Sequence, residues 1–404
     1  MRKKRIFRAI LSGLCAVSLL LQPAGVLASE SEEYVSDIVV NSSAAEQKFT
    51  QPSFDVPAKT AILMEASTGR ILYKKAENEK MPPASITKIM TLLLVMERID
   101  QGTLKLTDKV TASKHACSMG GSQIWLKENE QMTVDELLRA TAIASANDAA
   151  VALGEHLAGS EEAFVNLMNM KAKELGMKNT VFKNASGLDT DGHLSSAYDI
   201  ALMSQALLSH ELIEKYSTVW MDSLRDGKTS LVNTNKLVRF YDGCTGLKTG
   251  TTDGAGSCLS ASAKRGGVQY IAVVMGAKTS DERFASARTL LDYAFNTYTL
   301  YTPKVDTSKI GPVKVLRGMQ QQVKVKAELP SGVLIQKGKE KNIEQKISLV
   351  TDVMAPVEKG QVIGKLTILL DGQVLGEYNI KAESSVEKMN FFYALKLLLY
   401  SLLS

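Results

Sequence analysis

Residues 82–96 read Pro82-Pro83-Ala84-Ser85-Ile86-Thr87-Lys88-Ile89-Met90-Thr91-Leu92-Leu93-Leu94-Val95-Met96. Proline is tolerated in a first helical turn, so a helix is expected to start close to Ser85 and to end near Gly102. The stretch from Ile89 to Met96 is too apolar for a surface helix, so this one is expected to be buried. Residues three apart on a helix share a face, with Cβ atoms about 5–6 Å apart. Helix geometry alone therefore brings the Lys88 amine within reach of the Ser85 hydroxyl. A serine hydroxyl is a poor nucleophile near neutral pH and needs a base beside it for covalent chemistry. Ser and Lys at this spacing occur by chance in many chains, so the pair gains meaning only from its company.

The chain has 404 residues, enough for two domains. Its first 28 residues read as a secretory signal peptide. Arg2, Lys3, Lys4, Arg5 and Arg8 precede an apolar Ala9–Leu21, and Val26-Leu27-Ala28 offers a cleavage site. The apolar run is too short for a bilayer that needs about 20 residues, and Leu14 before Cys15 is too large for a lipoprotein signal. The leader holds five of the 48 Lys and Arg and no acid, leaving 43 basic against 43 acidic residues. A balanced chain gives no reason to expect a nucleic-acid partner. Cys117, Cys244 and Cys258 remain after the leader, without a Cys-x-x-Cys. His115, His156, His193 and His210 are scattered, so no metal is expected. Cys244 and Cys258 could meet in an oxidising space, but a simple hairpin turning near Asp253 would leave them several residues out of register.

Residues 29–53 are polar and aperiodic, a flexible lead-in. Thr60 to Glu65 and Arg70 to Tyr73, joined through Ser67-Thr68-Gly69, read as a β-hairpin. Thr133-Val-Asp-Glu136 is a capping box opening a long helix toward Leu157. Ser160 is expected to cap a helix ending at Gly176, and Ser196-Ala-Tyr-Asp199 to form a further capping box before Ile200–Leu208. Cys258–Ala263 and Val268–Met275 suggest paired strands around Arg265-Gly-Gly267, and Asp281–Tyr298 a helix. Strands, then helices, then strands, then a helix favour an antiparallel sheet with helices against it. A first folded domain is expected over 54–300. Short β-prone stretches at 313–316, 323–327, 333–335, 347–350 and 366–370 mark a small all-β domain over 312–382. In the last segment, 386–404, Phe391–Leu403 is apolar except for Lys396 and Ser401. Wound as a helix it puts Glu387, Asn390, Ser401 and Ser404 on one side, with Lys388 breaking the pattern, which suits a helix lying in a membrane interface; a helix docked on its own protein is the alternative.

Two further elements accompany Ser85 and Lys88. Ser145-Ala146-Asn147 falls inside the apolar run Ala140–Leu153, where Ser and Asn disfavour helix; a helix break or a satisfied buried polar pair would also account for it. Lys248-Thr249-Gly250 follows Asp242-Gly243-Cys244-Thr245-Gly246. On a strand, Thr249 and Thr251 point to one side, and Gly250 leaves the backbone bare for close approach of a ligand. Taken alone, that segment would be a surface strand and turn.

In the order Ser-x-x-Lys, Ser-x-Asn, Lys-Thr-Gly, these elements resemble the set found in penicillin-binding proteins and class A β-lactamases. The chain resembles the serine-type D-alanyl-D-alanine carboxypeptidases, the low-molecular-mass penicillin-binding proteins. The likeness runs over nearly all of it and includes Asn184-Ala-Ser-Gly-Leu-Asp189, Asp242-Gly243, Ala255-Gly256 and Arg283-Phe284. It implies an α+β fold: a β-lactamase/transpeptidase-like catalytic domain, with a five-stranded antiparallel sheet plus a helical lobe and the site between them, followed by the small all-β domain.

The resemblance also implies roles. Ser85 would attack the carbonyl between two D-alanines and form an acyl-enzyme. Lys88 would take its proton, which a lysine does near neutral pH only if burial or a nearby cation lowers its pKa. Lys248 would supply a second positive charge and help hold the substrate. Ser145 would relay a proton to the departing D-alanine, and Asn147 would hold the peptide amide. Backbone N–H groups of Ser85 and Thr251 would hold the oxyanion. Thr249, Thr251 and Arg283 are candidates for the terminal carboxylate, with Gly250 lining the approach. No cofactor is implied. The implied partners are peptidoglycan stem peptides, β-lactam antibiotics as acylating inhibitors, and a membrane surface met by the C-terminal helix. The implied location is the outer face of the cytoplasmic membrane. A class A β-lactamase would need an additional glutamate, and 175–190 carries none, with Asp189 its only acid. Endopeptidase action on cross-links is chemically adjacent. A catalytically dead wall-binding protein would not need every motif residue.

Overall fold

The structure, a computed structural model, describes residues 52–305, 310–329 and 332–403. The leader and nearly all of the lead-in lie outside the described residues. The expected hairpin forms from β1 (Thr60–Glu65) and β2 (Ile71–Lys75). Its turn is held by the Glu65 carboxylate, which accepts from the backbone and hydroxyls of Ser67 and Thr68. Three more strands follow much later: β3 (Cys244–Thr252), β4 (Gly256–Arg265) and β5 (Val268–Ala277). The sheet order is β2-β1-β5-β4-β3, with every neighbour antiparallel. Cys258 pairs with Gly250 and Cys244 with Ala263, so the two are out of register, and both are free thiols.

Both faces of this sheet are buried, and the two-residue period of a strand decides which side each residue serves. Ile62, Met64, Ile271, Val273 and Met275 pack into the helical lobe. Ala61, Leu63, Tyr270, Ala272 and Val274 face the opposite way, against α6 (Ser280–Thr297) through Leu290, Leu291 and Ala294. The lobe is built around α1 (Lys88–Asp100), entered through a 3-10 turn at Ala84–Thr87. Every residue of α1 from Lys88 to Met96 is buried, as its composition demands. Around it lie α2 (Val134–Ile143), α3 (Asn147–Ala158), α4 (Glu161–Glu174, capped by Ser160) and α5 (Ala197–Leu208).

Two local expectations are corrected. The capping box at Thr133 and Glu136 is present, but the helix it opens ends at Ile143. A break through Ser145 and Ala146 follows, and α3 starts afresh at Asn147. At Ser196 only half of a capping box exists. Ser196 Oγ accepts from Asp199 N, while the Asp199 carboxylate turns to the N–H of Asn179 and the hydroxyl of Thr180.

Among the described residues beyond α6 the chain is β, apart from a 3-10 turn at Glu340–Asn342, until its last helix. Val325–Ala327, Gln373–Ala382, Val362–Leu370 and Ile343–Leu349 form a four-stranded sheet in that order, and Gln322–Val323, Val313–Leu316 and Asp352–Met354 a three-stranded one. The strand Gln373–Ala382 escapes the sequence reading because Gly376, Glu377 and Asn379 dilute its β-propensity. Tyr298–Tyr301, straight after α6, pairs with Val333–Gln336 and ties this region to the catalytic core, where Leu334 is buried. The expected helix from Val386 is corrected too. Val386 bridges to Val357 and is buried in the β core, Met389 N–H donates to Arg317 O, and α7 spans only Phe391–Leu403. Glu387 and Asn390 therefore precede the helix and cannot form its polar side. Phe391, Phe392, Leu402 and Leu403 are exposed, so α7 is not docked on its own protein through them. Among the described residues no helix is long and apolar enough to cross a membrane.

Candidate active site

The site begins at the turn that carries Ser85. Ala84, just before it, takes φ +50°, a left-handed conformation that costs a residue with a Cβ about 1–2 kcal/mol. Two glycines grip this turn from opposite strands of chain. A Cβ on Gly187 would lie 1.9 Å from Ala84 O and 2.9 Å from Ser85 N. One on Gly250 would lie 2.9 Å from Pro83 O and 3.1 Å from Ser85 N. The absence of a side chain at Gly250 lets β3 lie against the turn, a role other than the ligand approach expected there.

Lys88, one helical turn on, is fully buried. Its Nζ lies 3.0 Å from Ser85 Oγ, 2.5 Å from Asn147 Oδ1 and 2.7 Å from Ser186 O. Asn147 Nδ2 donates to Gly120 O at 2.6 Å, which turns the amide so that its oxygen faces the amine. Asn147 Oδ1 and Ser186 O can only accept. A neutral lysine has two N–H bonds and one lone pair. If the two carbonyl oxygens take the two hydrogens, the lone pair is left for Ser85. Burial drives the Lys88 ammonium well below its ordinary value, the Lys248 charge adds to this, and Asp148 opposes it.

The helix break puts the second motif in place. Ser145 adopts φ +64° and is buried, and Asn147 N–H donates to Ser122 O as α3 begins. Lys248 on β3 is also buried, its Nζ bonded to Thr249 O, and desolvation with the Arg283 charge lowers its pKa to about 7. Thr249 Oγ1 donates to Thr234 Oγ1 at 2.7 Å, while Thr251 is exposed at the end of β3. Arg283, on α6, donates to Gly250 O, Thr251 Oγ1 and Cys258 O. Its Nη2 donates to Ser280 Oγ, so the guanidinium links β3, β4 and the start of α6, with its Nε buried and without a partner.

The structure brings in residues that sequence reasoning missed. Ser186 supplies a backbone carbonyl, which no side-chain pattern reveals. Asp148 is a buried carboxylate accepting the N–H groups of Ile124, Leu126 and Ala149. Its presence in an apolar run was the available signal. His193 sits behind the nucleophile turn. Its Nδ1 accepts from Lys183 N–H, so Nε2 carries the hydrogen toward Thr87 Oγ1, 2.8 Å away, and burial lowers its pKa to about 4.

Residues 45–279 match the family model described as D-alanyl-D-alanine carboxypeptidase, and residues 295–388 match penicillin-binding protein 5, C-terminal domain. D-alanyl-D-alanine carboxypeptidase DacF of Bacillus subtilis is 48% identical over 343 residues, 84% of this chain and 88% of that protein. DacC of Escherichia coli is 36% identical over 86% of this chain and 88% of its own length. Among solved structures, penicillin-binding protein 5 from Haemophilus influenzae superposes with a TM-score of 0.76 at 32% identity, covering 84% of this chain and all of that one. Penicillin-binding protein D2 of Listeria monocytogenes, solved in its ampicillin-bound form, matches 60% of this chain and all of its own at 34% identity, with a TM-score of 0.56.

Proposed function

This chain belongs to the D-alanyl-D-alanine carboxypeptidase family, and from that premise we propose that it removes the terminal D-alanine from peptidoglycan stem pentapeptides through an acyl-enzyme on Ser85. The observation that carries the reading is the shell around Lys88: one buried amine held by two carbonyl acceptors with its third direction on Ser85 Oγ. Neutral Lys88 takes the Ser85 proton as Oγ bonds to the carbonyl carbon between the two D-alanines. The C–N bond then breaks as Ser145 gives its hydroxyl proton to the leaving amine and takes the one held on Lys88, which is neutral again. Water then attacks the ester and gives a proton to Lys88; as the acyl–Oγ bond breaks, that proton passes to Ser85 Oγ, and the shortened peptide leaves with Ser85 and Lys88 restored. The N–H groups of Ser85 and Thr251 hold the oxyanion, fixed before charge develops. Asn147 holds the peptide amide. Lys248 and Thr249 face the carboxylate end with Thr251, which Arg283 steadies. A β-lactam enters by the same attack and stays as a stable ester.

A fluorescent penicillin should label the folded protein at Ser85, and Ser85→Ala should take up none. Labelling of the alanine variant would remove Ser85 as the nucleophile. The products of a pentapeptide and of a cross-linked dimer, analysed side by side, should show D-alanine released from the first and little cleavage of the second. Efficient dimer cleavage would make the enzyme an endopeptidase instead.

The exposed apolar residues of α7 support peripheral attachment to a membrane and the leader pattern of residues 1–28 supports export, which together give the outer face of the cytoplasmic membrane. Deleting residues 391–404 should release the protein from membranes, with its melting temperature and its activity on a small D-Ala-D-Ala peptide unchanged. Deleting from Val386 should in addition destabilise the β region by about 1.5–3 kcal/mol, because a buried valine goes with it. Retention on membranes after the shorter deletion would exclude α7 as the anchor.

A further inference from the structure

We infer that Glu161 is a positioning residue for this reaction: its carboxylate braces the two loops that hold the acceptors of the Lys88 amine. The inference rests on the acyl-enzyme reading above. Glu161 is the first residue of α4, where the helix dipole favours a carboxylate. Its two oxygens go to different places. Oε1 accepts the Ala185 N–H at 2.9 Å, and Oε2 lies 2.6 Å from His115 Nε2.

The Ala185 arm leads directly to the amine. Ala185 O accepts the Thr91 hydroxyl at 2.7 Å, so this residue is fixed through both of its backbone polar groups. The next carbonyl along, Ser186 O, takes a hydrogen from Lys88 Nζ. One residue further, Gly187 presses on Ala84 and Ser85. A shift of Ala185 thus moves the acceptor and the nucleophile turn together.

The His115 arm leads to the other acceptor. His115 lies in the short helix Lys114–Cys117, capped by Ser113, whose hydroxyl donates to Glu155 on α3. The chain then runs into Gly120 and Ser122. Gly120 O takes Asn147 Nδ2 and Ser122 O takes Asn147 N–H, which aims Asn147 Oδ1 at Lys88. One carboxylate therefore spans the two segments that aim the lone pair of Lys88. A misplacement near 1 Å, even remote from the chemistry, can slow a reaction about 100-fold. Asn184 also ties the Ser186 and Gly187 N–H groups, so the loss expected here is smaller.

The test compares Glu161→Ala, Glu161→Gln and the unaltered full chain. Glu161→Ala should slow acylation by fluorescent penicillin about tenfold and lower kcat on a small D-Ala-D-Ala peptide by a like factor, with KM within twofold. Glu161→Gln keeps an oxygen for the Ala185 N–H and should recover acylation to within about threefold of the unaltered protein. A His115→Ala variant cuts only the other arm and should fall between them. Acylation of Glu161→Ala at the unaltered rate overturns the brace. So does a Glu161→Gln variant as slow as Glu161→Ala with the same loss of melting temperature, which marks a purely structural residue. Failure of the unaltered chain to acylate sinks the Ser85 reading and takes this inference with it, whereas normal acylation across all variants sinks the brace alone.

Discussion

Lys88→Arg is expected to cut acylation of Ser85 by labelled penicillin by about 10³-fold or more. The positive charge is retained, so the loss would report the missing base and not a missing cation. A guanidinium keeps its proton at any accessible pH, while the reaction needs a group that has given its proton up. Lys88 is poised to do so because it is buried beside Lys248, and both effects push its ammonium below the ordinary 10.5. In the unaltered enzyme acylation should therefore rise with pH as Lys88 loses its proton, with a midpoint below 10.5. Lys88→Met removes the base with less crowding and should be as slow. Either variant acylating within tenfold of the unaltered protein would show that another group takes the Ser85 proton.

Gly187→Ala is expected to be the most damaging small substitution in the molecule. The position has φ +85°, and its new methyl would lie 1.9 Å from Ala84 O. Both partners are backbone, so no rotamer change relieves the contact. We expect a loss of about 3 kcal/mol or more in stability, read from the denaturant midpoint, together with loss of acylation. Gly192→Ala is the matched control, since it shares the left-handed backbone at φ +73° but meets nothing nearer than Lys183 Cε at 3.5 Å. Equal losses at the two positions would mean that backbone strain alone, and not the grip on the nucleophile turn, explains Gly187.

The contrast between Gly187 and Gly250 shows what is legible in such a chain. Gly250 sits inside a motif and was read as an open approach. Gly187 has the more severe contact, yet its segment, Asn184–Asp189, entered the reading only as a likeness. Motif side chains announce themselves together, because three such elements in one order are far rarer than Ser-x-x-Lys alone. Ser186 O acts through a peptide carbonyl, which every residue owns, and nothing in its type could single it out. The same limit explains the helix break. Ser and Asn in an apolar run signal discomfort, but only tertiary packing makes Ser145 left-handed and restarts the helix at Asn147. The antiparallel sheet with helices against it is more accessible, because a run as apolar as Val268–Met275 needs cover on both faces and the apolar α1 needs partners of its own. At the C-terminus the apolar run was plain, while its start at Phe391 depended on Val386 finding Val357, a pairing set far away in the chain.

The shell around Lys88 also bears on the height of the barrier. Before proton transfer, two carbonyl oxygens would hold two N–H bonds, and the lone pair would face Ser85 Oγ. After transfer, the amine has three N–H bonds and the same three oxygens to receive them. The proton can cross without any side chain turning over and without any polar group changing partners. Little of the activation energy would go into rearranging the surroundings, which water would have to do. When water hydrolyses the ester, the proton it leaves on Lys88 can pass to Ser85 Oγ along the same coordinates backward, so one fixed set of dipoles can serve both acylation and release.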